Sequence, residues 1–493
     1  MNIALAIRTP IYLQPDPSRV LLHLFIAGLE DFSSVHSRAK LVIERSLLIS
    51  DDEVDEALHA LLTRFLPRHA DIRYWFDLHF IRISNLIPPS VNLSEARRLL
   101  IGALFTHEFS TEGASLTNPS MVLGESTSSG VSPFVMSVRG IGEGHRSSIG
   151  FRTGTVSANG RINIDLPEAG LKLGMLHETL LSKHSFMDLL EAPNILSDNA
   201  TLILNNLGEN FTNSELEIQV NRLLNDRETF RNADLAATHF RSIAERSYAV
   251  SFPPECAMSE QILWPHASCE WRGMEDLRLV RFVEDDDSVV YFGTYTAFDG
   301  SAISQQMLQT SDFKSFKIFP VSGSPARSKG LALFPRRING KFAALSRCDG
   351  ETNSICFSET PDRWDCNLEL ESPHHWRELI QVGNCGSPIE TDQGWLVLTH
   401  SVGPMRTYTI GAILLDIDDP TQVIGKLIEP LIQPEIDALG GYVPNVVYSC
   451  GGVVHHENLI IPFGINDQSI GIATIKVDDV LTRMKRNDKD VPY

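Results

Sequence analysis

The spacing of apolar positions changes along the chain, and the changes divide it into regions. From Ser18 to Phe105 apolar residues recur every three to four positions, in SRAKLVIERSLLI, DDEVDEALHALLTRFL and LSEARRLLIGALF. That spacing lays an apolar stripe along one helix face, so it predicts an α-rich N-terminal module, taken as residues 1–105. The acidic opening of the second segment suits a helix N-terminus, and Ser94 ahead of the third is an N-cap residue type. Helical spacing returns between about residues 169 and 247, in NSELEIQVNRLLNDRETF and ADLAATHFRSIAERS. β-type sequence lies on both sides, so this stretch reads as a helical insertion.

Elsewhere the period is two, as on a strand with one buried face. Five segments share one order of strand, turn, strand and polar turn: SPFVMSVRGIGEGHRSSIGFRTG, SVVYFGTYTAFDGSAISQQMLQTSDF, GKFAALSRCDGETNSICFSETPDRW, GWLVLTHSVGPMRTYTIGAILLDIDDP and ENLIIPFGINDQSIGIATIKVDD. The last four begin near Val289, Lys341, Gly394 and Glu457, a spacing of roughly 50 to 60 residues that suits four-stranded propeller blades. The expected fold is therefore mainly β. Residues 106–493 are taken as a five-bladed β-propeller interrupted by the helical insertion. A β-sandwich also carries many short strands, but the shared internal order favours a propeller. Propeller blades converge on a channel, which is where polar residues from different units would meet.

Composition narrows the partners. With 42 Lys+Arg against 62 Asp+Glu the net charge is −20, so a nucleic-acid backbone is not an expected partner. The N-terminal apolar stretch is short for a signal segment, and no run of about 18 apolar residues follows, so a cytoplasmic protein without membrane spans is expected. Seven cysteines between Cys256 and Cys450 include no C-x-x-C pair, which favours buried thiols over a disulfide framework or zinc knuckle.

Chemistry concentrates in CEWRGMEDLRLVRFVEDDDSVVYFGTYTAFDG, Cys269 to Gly300. There Glu275 and Asp276 stand against Arg272, Arg278 and Arg281, just ahead of an expected strand. Carboxyls set among cations suit acid–base work, because neighbouring charge and burial decide which keeps its proton; a salt-bridged turn is the bland alternative. No G-x-S-x-G elbow, GxxxxGK[ST] loop or HExxH helix occurs. The glycine-rich run Arg139 to Arg146 has His145 where a dinucleotide fingerprint needs its third glycine, and reads as a turn between strands. Adjacent His455 and His456 would point to opposite faces of a strand, so no metal is expected.

The motifs GMEDLRLV, TYTAFDG, KGLALFPRRINGKFAALSR, GSPIETDQGWLVLTHSV, GAILLDIDDPTQVIGKLIEPLIQPE and GYVPNVVYSCGG together resemble glycoside hydrolase family 130, from about Thr111 to Leu481. That family comprises mannoside phosphorylases and related β-mannosidases. The resemblance implies a five-bladed propeller and puts the general acid on Asp276, acting through a mannose hydroxyl. Leu277 stands where the family's E-D-P-R type motif has proline. It further implies sugar contacts from Asn118 and Ser120 beside Pro119, and from Arg139, Glu275, Arg278, Tyr295 and Asp299.

Inverting cleavage needs an acid for the leaving oxygen and a nucleophile on the opposite face, either water activated by a base or phosphate. Phosphate needs cations, and the resemblance offers Lys329, Arg347 and Arg406. Water needs a second carboxylate, for which Glu390 and Glu435 are the candidates. The favoured expectation is phosphorolysis of β-linked manno-oligosaccharides to mannose 1-phosphate, with inorganic phosphate as co-substrate and no other cofactor. The alternatives are a β-mannosidase, a furanosidase on the same architecture, and a non-catalytic carbohydrate-binding propeller. The N-terminal module and the insertion are candidates for capping the channel mouth or forming a homo-oligomer interface.

Overall fold

The computed structural model describes residues 4–26, 38–168, 170–191, 198–225, 232–435 and 440–486. Ser37 and residues 226–230 of the expected helical runs lie outside these described residues. The chain divides into two compact units, one of Pro17–Thr111 with Ala169–Leu171 and one holding the remainder.

In the smaller unit, helices Arg38–Leu48, Asp51–Phe65, Ile72–Ile83 and Glu95–Leu104 accompany an antiparallel pair, Val20–Leu24 with Thr106–Ser110. Serines start two of the helices. Ser50 accepts from the Glu53 amide while the Glu53 carboxylate accepts from the Ser50 amide, and Ser94 accepts from the Arg97 amide. Ile43, Phe80, Ile83, Ile101 and Phe105 bury the apolar stripe that the spacing implied.

The larger unit is mainly β. Its sheets have four, five, six and twelve strands, besides a two-stranded pair. In the twelve-stranded sheet a single parallel pairing, Gly273 with Ser147, joins two antiparallel runs. One run starts with Ser115–Leu123, Ser132–Ile141 and Ser147–Val156; the other has Gly273–Val283, Val289–Phe298, Ile303–Thr310 and Ser315–Pro320. The four-stranded sheet begins at Lys329–Leu333, and the six-stranded sheet runs from Gln381–Asn384 through Gly394–Gly403 and Thr407–Leu415. In the five-stranded sheet, Val447–Tyr448, Asn458–Ile465 and Ser469–Lys476 are joined by the N-terminal strand Ile7–Leu13. Residues 4–16, counted with the N-terminal module in the sequence reading, lie in the larger unit, where Ile7–Leu13 pairs with Ser469–Lys476.

The insertion holds helices Lys183–Glu191, Asp198–Asn205, Asn213–Asn225 and Ala233–Ala244. Leu190, Ile203, Leu216, Val220 and Phe240 give them a core of their own.

One irregularity recurs in the first strand of all five antiparallel groups. The ladder slips between Thr117 and Ser120, between Glu275 and Arg278, and between Lys329 and Ala332. In the other two groups the first strand breaks outright, between Asn384 and Ile389 and between Tyr448 and Val453. Each slip or break holds one left-handed residue: Asn118 (φ 48°), Asp276 (58°), Gly330 (94°), Gly386 (131°) or Gly451 (146°). At Gly386 no side chain fits, since a Cβ would stand 2.3 Å from the Cys450 carbonyl oxygen. Bulges of this kind re-aim side chains, and here the first strands come close enough to pair, Ser120 bridging to Gly451.

Candidate active site

Glu275 and Asp276 lie within a strand, Gly273–Val283, rather than ahead of one, at the slip in its ladder. The left-handed turn at Asp276 breaks the alternation that would send adjacent side chains to opposite faces. Both carboxylates thereby reach one guanidinium: Arg139 Nη2 donates to Glu275 Oε1 at 2.6 Å and Nη1 to Asp276 Oδ1 at 3.3 Å. Arg139 is itself fixed by Nε donating to Ser147 Oγ at 2.9 Å, beside the pairing that joins the two runs. Lys329 Nζ holds the other oxygen, Glu275 Oε2, at 3.2 Å. Arg278 Nη1 donates to the Asp276 carbonyl at 2.9 Å, and its Nη2 to the Tyr448 hydroxyl at 2.8 Å.

Lys329 and Arg347 are direct cross-strand neighbours, which gathers two cations at one strand end. Arg347 Nη1 donates to His400 Nε2 at 2.7 Å, while His400 Nδ1 faces the Asn384 carbonyl at 3.1 Å. A guanidinium only donates and a carbonyl only accepts, so His400 carries its proton on Nδ1 and is neutral. Burial, followed by Arg347 and Arg278, holds its pKa far below the usual imidazole value.

Cations therefore outnumber carboxylates here. Burial pushes the Asp276 carboxyl up, but Arg139, Lys329, Arg278 and Arg347 outweigh it and leave it below the ordinary carboxylate range. The Arg139 guanidinium loses by burial and gains more from Glu275, Asp276 and Asp467, so its pKa is raised.

Asn118 and Ser120 lie at the equivalent slip of the neighbouring first strand. Ser120 Oγ accepts from the Leu279 amide at 3.0 Å, tying that strand to the one carrying Asp276. Asn118 Oδ1, Arg278 Nε and Arg347 Nε are buried without a hydrogen-bond partner among the described residues.

Of the remaining candidates, Tyr295, Asp299, Glu390 and Glu435 are engaged with other partners. Tyr295 is fully buried and gives its hydroxyl to Glu270, which also accepts from Tyr248 at 3.0 Å. That is a core contact. Asp299 closes its own turn, accepting from the Ser301 and Ala302 amides, both at 2.7 Å. Glu390 forms an exposed fork with Arg336 at 2.8 and 3.0 Å, and Glu435 is 60% exposed on Arg8 at 2.9 Å. Arg406 stands on the hairpin Pro404–Arg406 and acts electrostatically on Asp467.

The sequence reading did not single out Asp467, His400 or Tyr448. Asp467 lies on the tip between Asn458–Ile465 and Ser469–Lys476, where burial pushes its carboxyl up to about 6 against the pull of Arg139 and Arg406. The polar turn repeated in every unit was its signal. His400 and Tyr448 sit in apolar alternating runs and look like core until their partners are seen.

The profile of glycoside hydrolase family 130, described as β-1,4-mannooligosaccharide phosphorylase, matches residues 240–486, half of the chain. The chain belongs to glycoside hydrolase family 130. A 1,2-β-oligomannan phosphorylase of Thermoanaerobacter sp. is 32% identical over 216 residues, covering 43% of this chain and 71% of that protein. The β-1,4-mannooligosaccharide phosphorylase of Ruminococcus albus is 31% identical over 218 residues, 42% of this chain and 64% of its own length. Among solved structures, the β-1,2-mannobiose phosphorylase of Listeria innocua with β-1,2-mannobiose aligns over 76% of this chain and 92% of its own, at 18% identity and a TM-score of 0.45. The family 130 match includes Glu275, Asp276, Lys329, Arg347 and His400, while Asn118 and Arg139 precede it.

Proposed function

We propose that this family 130 chain is an inverting β-mannoside phosphorylase that releases mannose 1-phosphate from β-linked manno-oligosaccharides. One observation carries the reading: Asp276 is held ionised by a surplus of fixed cations, two of them, Lys329 and Arg347, side by side. A phosphate dianion beside these cations offsets the charge that keeps Asp276 ionised, so the nucleophile's arrival raises the proton affinity of the acid. Asp276 takes up a proton from solvent as phosphate binds; a phosphate oxygen then bonds to the anomeric carbon as the glycosidic bond breaks, and the leaving oxygen receives that proton through a mannose hydroxyl, which leaves Asp276 ionised again. Lys329 and Arg139, whose side chains are 31% and 18% exposed, are the cations of the cluster that a phosphate or a hydroxyl-rich ligand can reach.

The same reading takes the five antiparallel groups as blades of a propeller. The five recurring left-handed residues support that arrangement, since each marks the same place on a first strand. A crystal structure with the groups in an open array would overturn it.

Glu390 and Glu435 are both engaged in exposed ion pairs, which weakens their claim to be a hydrolase's base. Hydrolysis instead draws support from Asp467, a second carboxyl electrostatically linked to Asp276 with a pKa suited to a base. Incubation with β-1,2- and β-1,4-mannobiose, with and without phosphate, separates the two. Mannose 1-phosphate formed only with phosphate is the expected result; free mannose at equal rates under both conditions would overturn phosphorolysis.

A further inference from the structure

In an antiparallel group the start of the first strand and the hairpin between the second and third strands lie at the same end. Gly273 pairs with Phe298, next to the hairpin 299–302, and Ser115 pairs with Ile141, next to the hairpin 142–146. The Gly273–Ser147 pairing brings these two ends together, at the Ser147 whose Oγ holds Arg139. A stack of side chains occupies this rim. The Arg146 guanidinium lies over Trp264 at 5.6 Å and over Trp271 at 4.4 Å, and Trp271 remains 51% exposed. The segment carrying Trp271 is held by the Arg272 amide on the Phe298 carbonyl at 2.8 Å and by Arg272 Nη1 on the Gly144 carbonyl at 3.2 Å.

Half of a large indole is thus kept in water by a fixed backbone and a cation on one of its faces, where burial would be the favourable fate. Trp271 is four residues from Glu275, at most about 14 Å of extended chain. The indole is therefore within reach of the rings of an oligosaccharide held at the charge cluster.

We propose that Trp271, backed by Arg146, is a stacking platform for a pyranose ring on the leaving-group side of the scissile bond, beyond the sugar that leaves directly. This rests on the β-mannoside phosphorylase reading and adds a chain-length preference to it. The exposed ring face takes the C–H face of a sugar, and the cation behind it keeps the indole from folding inward.

The test compares phosphorolysis of β-linked mannotriose and mannobiose by the full chain and by Trp271→Ala, Trp271→Phe and Trp376→Ala. Trp376 is 56% exposed and also carries an arginine, Arg377, on its ring, so it controls for the loss of any exposed tryptophan. Trp271→Ala is expected to lower the trisaccharide-to-disaccharide ratio of kcat/KM about five- to tenfold, mainly through the trisaccharide KM. Trp271→Phe should recover most of that ratio, and Trp376→Ala should leave it as it was. An equal fall for both substrates, or no change in the ratio, would overturn the platform. Calorimetric titration of mannotriose into the folded protein and into Trp271→Ala separates this proposal from the activity. Binding weakened by the substitution in a protein that forms no mannose 1-phosphate would sink phosphorolysis and keep the platform; binding unaffected by it would sink the platform alone.

Discussion

Two buried clusters of acids and cations lie in the β unit, and their charge balances are opposite. Around Asp276 the cations Arg139, Lys329, Arg278 and Arg347 act on two carboxylates, Glu275 and Asp276. At Lys426 one ammonium faces two buried carboxylates, Glu371 at 2.5 Å and Glu378 at 3.2 Å. Burial raises the Glu371 pKa despite Lys426. The second cluster resembles a clasp between strands, with its single cation fully used. The first has spare positive charge beside a left-handed backbone residue, which supports its proposed role in holding an anionic ligand. Burial and ion pairing are common to both clusters; the sign of the surplus separates them.

The sharpest break of this contrast is Asp276→Asn. It should cut phosphorolysis of β-mannobiose about 10³- to 10⁴-fold with the circular dichroism spectrum kept, as expected for a positioned acid. An active variant would return the cluster to a structural role. Lys426→Met probes the other side. It leaves two buried carboxylates facing each other and should cost about 3–5 kcal/mol in urea unfolding, with little change in the KM for phosphate where the protein stays folded. A larger effect on phosphate than on stability would erase the distinction.

Lys329→Gln is expected to raise the KM for phosphate about 10- to 100-fold, the scale of one charge-assisted contact, and to affect the mannoside KM less. The smallest effect belongs to Asp467. Its folded pKa of about 6 stands above the ordinary 3.8, so between those values the folded protein holds a proton that the unfolded chain has lost. Stability therefore falls as pH rises through that window. Asp467→Asn should remove a fall of roughly 1–3 kcal/mol, read from urea unfolding at pH 4 and pH 7. Parallel curves for the two proteins would place the proton elsewhere.

The mainly β character was legible because alternation and turn spacing are local properties, and the charge cluster at Glu275 and Asp276 because its motif is contiguous. The edge pairing of Ile7–Leu13 with Ser469–Lys476 was not, since the partners stand at opposite ends of the chain and a lone alternating strand does not name its neighbour. Nor could TYTAFDG reveal that the Tyr295 hydroxyl is spent on Glu270, because a buried tyrosine and a ligand-facing one read alike in sequence. Glu390 shows the converse case. Its motif drew attention, whereas its side chain is committed to Arg336, 54 positions away. Residues that act through distant partners, such as His400 on Arg347, become visible only when strands are laid side by side.

Of the five left-handed positions on the first strands, three are glycine, and only Asn118 and Asp276 carry side chains there. A side chain in that conformation costs about 1 kcal/mol that glycine does not incur. With Asp276 in the proposed acid role, selection for thermal tolerance and selection for turnover pull in opposite directions at this position. A library at this codon sorted by melting temperature should enrich glycine and return an inert protein, whereas sorting by mannose 1-phosphate should return aspartate despite the lower melting point.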